Sequence, residues 1–342
     1  MKEKLKVNEA RLRECLQREY GIIPSALEFI PLGLDYNAAT YRMVSGGNTY
    51  FIKIKADPLN EPSYQVPRYL ADRDVQDVIA PVPTRKNALW HGLEEGRLAV
   101  YPFIKGVTGW EGMSDAHWKK AGAVLKQIHT MEPSSFPFAP LRKETFDPSD
   151  YAQFIRDFES HPVYSQKSED ENVNFVVSTW KEHRSTIHTA MDSLEKFAAS
   201  LQKSNLPLVL CHADLHPGNL LRDDDDGVFV IDWDDVMLAP KERDFIFIRK
   251  PYAEAFFEGY GQKDINQKAL AYFLWERLVQ DLIYCTKNVC FRADGNKEVS
   301  AASAKSFNKL LMDEGATLSM ARAVTRALDL PDSGRKGAEF KL

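Results

Sequence analysis

Residues 211–219 read CHADLHPGN, and residues 228–235 read VFVIDWDD. Asp214 and Asn219 stand five apart, and twelve residues separate Asn219 from Asp232 at the end of an apolar run. Pro217 and Gly218 break any regular helix, so the first stretch is a loop following the buried-looking run PLVLC. One loop can turn Asp214 and Asn219 inward on a single site. Asn219 and Asp232 then offer the oxygen ligands that Mg2+ prefers. Asp214 is left to orient a hydroxyl and accept its proton. A base, a metal-binding amide and a metal-binding carboxylate are what phosphoryl transfer requires. The competing reading is that these residues cap loops. It suits the Asp run at 223–226, a solvated hairpin turn, but leaves the joint H-x-D-x-x-x-x-N spacing without a reason.

The same chemistry needs a cation on the nucleotide, and kinases supply it as a strand lysine held by a helix glutamate. In TYFIKIK (49–55) the alternation puts Lys53 and Lys55 on one face and Ile52 and Ile54 on the other. Lys53 lies deeper in the run and is the better candidate, with Glu61 at the start of the next helical pattern as its partner. An exposed strand lysine is the ordinary alternative. PLGLDYNAAT (31–40) holds only Gly33 and no G-x-G-x-x-G, so a phosphate cradle there must use Asn37 and nearby backbone amides. AVYPFIKG (99–106) reads as a hinge in which the main chain of Pro102, Phe103 and Ile104 meets adenine. His129 reads as a core hydrogen-bonding residue and His212 as a brace for the catalytic loop. His216 suits either a brace or a proton carrier.

The elements that must position these groups fall in two blocks. Val7, Leu12, Cys15, Leu16 and Tyr20 sit near helical spacing, with Gly21 as a stop. Strand-like runs follow at 27–32, 39–44 and 49–55, with SGGN marking a hairpin turn. A helix around 60–72 is weakened by Pro62 and Pro67. ALWHG and GRLAVYPF add two strands, and KGVTGW (105–110) reads as a linker. Beyond it the pattern turns helical: about 115–130, two or three helices over 149–204, and again from Pro251 to about Leu330. Two short strands flank the catalytic loop. The expectation is an α+β chain with a small antiparallel-sheet lobe at 1–104, a hinge near 101–106 and a helical lobe at 107–330. Residues 331–342 read as a disordered tail.

Composition narrows the class. Of 342 residues, 44% are hydrophobic and 27% charged, a globular balance large enough for two lobes. A net charge of −5 argues against nucleic acid or an anionic membrane as partner. Cys15, Cys211, Cys285 and Cys290 form no C-x-x-C pair, which argues against zinc and a disulfide framework and fits a reducing compartment. No signal-peptide pattern and no run of about 18 apolar residues is visible, so the cytoplasm is expected by elimination. Nothing in the sequence specifies an oligomeric state.

Taken together, CHADLHPGN and VFVIDWD resemble the aminoglycoside phosphotransferase family, which has a protein-kinase-like fold. IDWDDVMLAPKERDFIFI, with YFIKIK, AVYPFIKG and FFEGYG, is similar to the spectinomycin-modifying members, over residues 20 to 285. The resemblance implies that Asp214 is the catalytic base, Asn219 and Asp232 are magnesium ligands, Lys53 is the nucleotide lysine and Asp244 braces the catalytic loop. It implies an ATP- and Mg2+-dependent transfer to a hydroxyl of a small cationic aminocyclitol or aminoglycoside, spectinomycin first, giving antibiotic resistance. The chain departs from protein kinases in its degraded glycine loop, in Asp232-Trp233-Asp234 replacing D-F-G, and in lacking A-P-E. The last departure argues against a protein substrate.

Substrate residues are sought at Asp234 and on the helix expected over 270–288. There Glu276 and Gln280, and Arg277 and Asp281, stand four apart. In one reading Asp281 and Glu276 point into the cleft and offset the desolvation of a cationic substrate. In the other they make a surface pair with little energetic weight. Two further functions stay open: a metabolic kinase for choline, homoserine or a sugar, and a kinase-like binding protein without activity. The intact Asp214, Asn219 and Asp232 set argues against the second.

Overall fold

The computed structural model describes the chain except residues 1–6, 32–37, 57, 59, 76, 134–135, 138–139, 262–263, 293–295, 313–315 and 330–342. The expected phosphate cradle at Gly33 and Asn37 and the expected tail lie outside the described residues.

In chain order, α1 (Glu9–Cys15) runs into a wider π turn (Leu16–Tyr20). It is followed by β1 (Ala26–Phe29), β2 (Ala38–Ser45), β3 (Asn48–Lys55), α2 (Pro62–Ala71), β4 (His91–Leu93), β5 (Gly96–Pro102) and β6 (Gly106–Thr108). Helices α3 (Asp115–His129), α4 (Ser149–Ser160), α5 (Pro162–Ser165), α6 (Glu171–Glu182) and α7 (Arg184–Leu201) come next. Then come β7 (Val209–Cys211), β8 (Leu220–Asp223), β9 (Val228–Val230) and β10 (Met237–Ala239). The chain closes with α8 (Ala253–Tyr260), α9 (Gln267–Cys290), α10 (Lys297–Leu311) and α11 (Ala316–Asp329). These elements group into two compact units. One comprises Met1–Arg142, Val209–Leu238 and Lys250–Gln262, and the other Lys143–Leu208, Ala239–Arg249 and Lys263–Leu342.

In the first unit, five strands form an antiparallel sheet in the order β1-β2-β3-β5-β4. The β2–β3 connection is the two-residue turn that SGGN predicts, with Gly46 at φ 56° and Gly47 at φ 81°. Alternation along β3 divides its faces. Ile52 and Ile54 are fully buried with Leu12, Leu16, Tyr41, Met43, Leu98 and Val100, which leaves Lys53 and Lys55 to the other face. Lys53 lies between Thr40 on β2 and Ala99 on β5, two small residues beside its long stem.

The same unit holds the catalytic loop. Strands β6, β8 and β9 make a second antiparallel sheet, and β7 pairs with β10. Residues 106–108 of the expected linker are therefore strand. A Cβ on Gly106 would lie 2.1 Å from the Arg222 carbonyl oxygen, so that glycine serves close strand approach and not free rotation. Helix α3 packs on α8, with Trp118 stacked on Tyr252 at 3.9 Å. His129 shares a 2.9 Å hydrogen bond with the Tyr260 hydroxyl, the core role its sequence context suggests.

In the second unit α9 is the central element, packed by α4, α6, α7, α10 and α11. Every residue from Ala269 to Glu276 is buried, as expected for a helix surrounded by others. Asn266 caps it by accepting from the N–H groups of Lys268 and Ala269. The stretch 149–204 forms four helices where two or three were expected, the extra one being the single-turn α5.

Candidate active site

The loop 212–219 leaves β7 and is locked by its histidines. His212 is fully buried. Its Nδ1 accepts from the Asp214 N–H at 3.3 Å, which leaves Nε2 to donate to the Ile231 carbonyl at 2.9 Å. His212 thus ties the loop to the chain just before Asp232, the bracing role read from the sequence. Ala213 between them has φ 68° and Asp232 has φ 63°, a left-handed backbone that a side chain makes unfavourable. Ala213 adjoins Asp214, and Asp232 is itself one of the residues that the sequence marks for chemistry; strained positions cluster at functional sites.

Asn219 and Asp232 come together through the ladder. Leu220 on β8 pairs with Val230 on β9, and the Ile231 N–H donates to the Asn219 carbonyl at 3.0 Å. This places Asp232 one residue beyond the partner of Asn219. The Asn219 Nδ2 donates to the Asp214 carbonyl at 2.8 Å and lies 3.4 Å from the Asp214 carboxylate. Its amide oxygen is thereby turned to the remaining side. Asp214 has 21% of its side chain exposed, with His216 Nε2 3.6 Å from its carboxylate. The His216 ring is set from two directions: Nδ1 accepts from the Gly218 N–H at 3.0 Å, and the largely exposed Trp110 stacks on it at 5.8 Å.

Lys53 reaches the same place from β3. Its ammonium lies 2.9 Å from Asp232 Oδ1 and 3.0 Å from Asp234 Oδ2. Lys55 lies 2.7 Å from that Asp234 oxygen, and Asn60 Nδ2 donates to the Asp234 carbonyl at 2.7 Å. Burial opposes the Lys53 charge, but Asp232 and Asp234 outweigh it and hold the ammonium well above the ordinary lysine range. Burial pushes Asp232 up, against the pull of Lys53. Burial acts the same way on Asp234, yet Lys53 and Lys55 overcome it and keep that carboxyl below the usual range. Glu61, expected to pair with Lys53, flanks the start of α2 and makes no ion pair with it among the described residues. Asp234, expected to face substrate, is held by the two lysines.

A cavity of ≈ 760 Å³ opens beside Asp234, with Asn60, Glu61, Arg142, Asp234 and Asp235 among its lining residues. Its three carboxylates are offset by the Arg142 guanidinium and by the two lysines held on Asp234. Of the expected hinge, Pro102 ends β5 and the Phe103 N–H donates to the Thr49 carbonyl at 3.2 Å. The Ile104 N–H meets no acceptor among the described residues.

Two expected substrate residues lie in the second unit. Glu276 has 8% of its side chain exposed, pairs with the equally buried Arg243 and accepts from the Tyr151 hydroxyl at 3.2 Å. A carboxylate committed to a buried guanidinium does not read a substrate, so the expectation for Glu276 is corrected. Asp281 pairs with Arg277 at 3.0 Å, with 29% of its side chain exposed.

Sequence reasoning placed Lys55 beside Lys53 but gave it no partner, and it missed Asn60 and Trp110, to which no signal pointed.

Residues 28–278 match the model of the phosphotransferase enzyme family. Spectinomycin phosphotransferase, in a crystal structure with ADP and spectinomycin, is 31% identical, with TM-score 0.83 over 93% of this chain and 98% of that one. An AMP-bound structure of spectinomycin phosphotransferase is 30% identical, with TM-score 0.79 over 92% and 98%. A microcompartment-associated aminopropanol kinase shares the fold at 14% identity and TM-score 0.60, over 95% and 99%. No curated protein sequence matches. The fold is protein-kinase-like, an antiparallel-sheet region with mainly helical chain beyond it.

Proposed function

Because the chain belongs to the phosphotransferase enzyme family, we propose that it transfers the γ-phosphoryl group of ATP, with Mg2+, to a hydroxyl of a small cationic aminocyclitol, spectinomycin foremost. The observation that carries this reading is the gathering of Lys53, Asp214, Asn219 and Asp232 around one loop of one unit. The 31% identity to an enzyme crystallised with ADP and spectinomycin supports the choice of nucleotide and acceptor.

The donor set fits the metal. The Asn219 amide oxygen and the Asp232 carboxylate are hard oxygen ligands, and Asp232 faces a cation already. Bound Mg2+ supplies neutralisation of charge on the phosphate oxygens as transfer proceeds. The chain's own residues do the rest. Lys53 would meet the α- and β-phosphates, and the Ile104 N–H, which meets no acceptor among the described residues, would meet the adenine edge. Asp214 accepts the hydroxyl proton while the acceptor oxygen bonds to phosphorus and the bond to ADP breaks. Positioning is the larger contribution, and the locked histidines and strained backbone supply it. Asp281 remains a candidate substrate residue. Among the described residues no helix is long and apolar enough to cross a membrane.

Three substitutions test the nucleotide side. Lys53→Ala raises the KM for ATP, and a Lys55→Ala change that proves the more damaging would reverse their roles. Asp232→Ala lowers activity by on the order of 10²-fold or more and sharply raises the Mg2+ requirement. Wild-type Mg2+ dependence in that variant contradicts a ligand role. The function itself is tested with purified protein, ATP and Mg2+ against spectinomycin, aminoglycosides, choline, homoserine and sugars, read by ADP release. Release with spectinomycin is expected; release only with choline, homoserine or a sugar identifies a metabolic kinase instead.

A further inference from the structure

We infer that Asp234, and not Glu61, is the carboxylate that positions the nucleotide lysine, with Lys55 and Asn60 as its supports. The inference rests on reading Lys53 as that lysine. Two carboxylates touch Lys53, and they differ in what else holds them. Asp232 has 44% of its side chain exposed and only Lys53 as an ion-pair partner among the described residues. Asp234 is 32% exposed and is fixed from three directions: Lys53 and Lys55 at one carboxylate oxygen, and Asn60 at its main-chain carbonyl. With Asp232 as the residue that would hold a metal, Asp234 is the group left to Lys53.

The geometry also explains a second lysine on the same face of β3. One Asp234 carboxylate oxygen bridges the two ammonium groups, so Lys55 keeps that carboxylate in place while Lys53 makes a further contact with phosphate. Asn60 precedes α2 and fixes the Asp234 backbone. The start of α2 therefore still anchors the lysine, as a helix glutamate would, but through an amide and an aspartate. Asp234 acts through Lys53 and is a positioning residue, not a catalytic one.

The experiment compares wild type, Asp234→Asn, Asp234→Glu and Lys55→Ala. ADP binding is measured by calorimetry without Mg2+, so that loss of a metal contact cannot account for the result. In parallel, Lys53 acetylation by acetic anhydride is read by mass spectrometry. Asp234→Asn is expected to weaken ADP binding about tenfold, the weight of one charge-assisted hydrogen bond. It is also expected to acetylate faster at Lys53, with Asp234→Glu restoring most of both. Lys55→Ala is expected to move both in the same direction by a smaller factor. Simple removal of a negative charge near an anionic ligand predicts the opposite sign. ADP binding in Asp234→Asn as tight as wild type or tighter, with Lys53 reactivity unchanged, overturns the inference. A wild-type protein that fails to bind ADP overturns the nucleotide reading instead. The acetylation arm then still decides whether Asp234 holds Lys53.

Discussion

Asp214→Ala is expected to lower kcat by about a thousandfold, within the range of a lost general base, and to leave ADP affinity near the wild-type value. The two parts follow from where the groups sit. Asp214 lies on the loop that His212 and Asn219 lock, whereas the nucleotide cation Lys53 comes from β3 and pairs with Asp232 and Asp234. Removing the Asp214 side chain therefore deletes the proposed proton acceptor without touching the lysine. The Asn219 amide keeps its bond to the Asp214 main chain, so the loop retains its main tie. His216 is the rival base, at 3.6 Å from the Asp214 carboxylate. Its Nδ1 is occupied by the Gly218 N–H and its ring is stacked on Trp110, which marks it as a brace. His216→Ala should cost far less than Asp214→Ala. Single-turnover kinetics with spectinomycin, alongside ADP calorimetry, would measure both. A kcat within about tenfold of wild type for Asp214→Ala, or a larger loss for His216→Ala, would reassign the base.

What the sequence made legible was set by how local each signal is. The β2–β3 hairpin was readable because Gly-Gly and strict alternation are written into neighbouring residues. The approach of Asn219 to Asp214 and to the chain just before Asp232 was readable because one loop and one short hairpin join them. Partnership across long separations was not. Lys53 meets Asp232 and Asp234 some 180 positions away, and β3 alternation says only that two lysines share a face. The glycines of KGVTGW suggested a linker because close backbone approach and free rotation select the same residue. Only the Arg222 carbonyl opposite Gly106 tells them apart. On α9 the polar spacing at 276–281 read as stripes of one exposed or cleft-facing surface. The helix is enclosed along Ala269–Glu276 and opens towards Asp281, a change of environment that spacing does not encode.

Glu276→Ala should therefore act on stability and not on substrate affinity. Arg243 has 6% of its side chain exposed and lies 5.4 Å from the Phe273 ring, so its charge has no route to bulk water. Burial opposes that charge, and the Glu276 and Glu144 carboxylates outweigh it and keep the guanidinium protonated. Glu144 is a weaker partner, because burial and then Glu276 itself push it towards the neutral form. Removing Glu276 leaves a buried guanidinium without its main counter-charge and the Tyr151 hydroxyl without an acceptor. Breaking one side of a buried pair costs about 3–5 kcal/mol. That corresponds to a thermal midpoint lower by on the order of 10 °C for a unit of this size. Asp281→Asn breaks a part-exposed pair on the same helix and should cost below about 1 kcal/mol. Thermal unfolding of both variants, with the KM for spectinomycin measured on whatever remains folded, separates the two roles. A Glu276→Ala protein that melts with the wild type but has a raised KM for spectinomycin would return Glu276 to the substrate site.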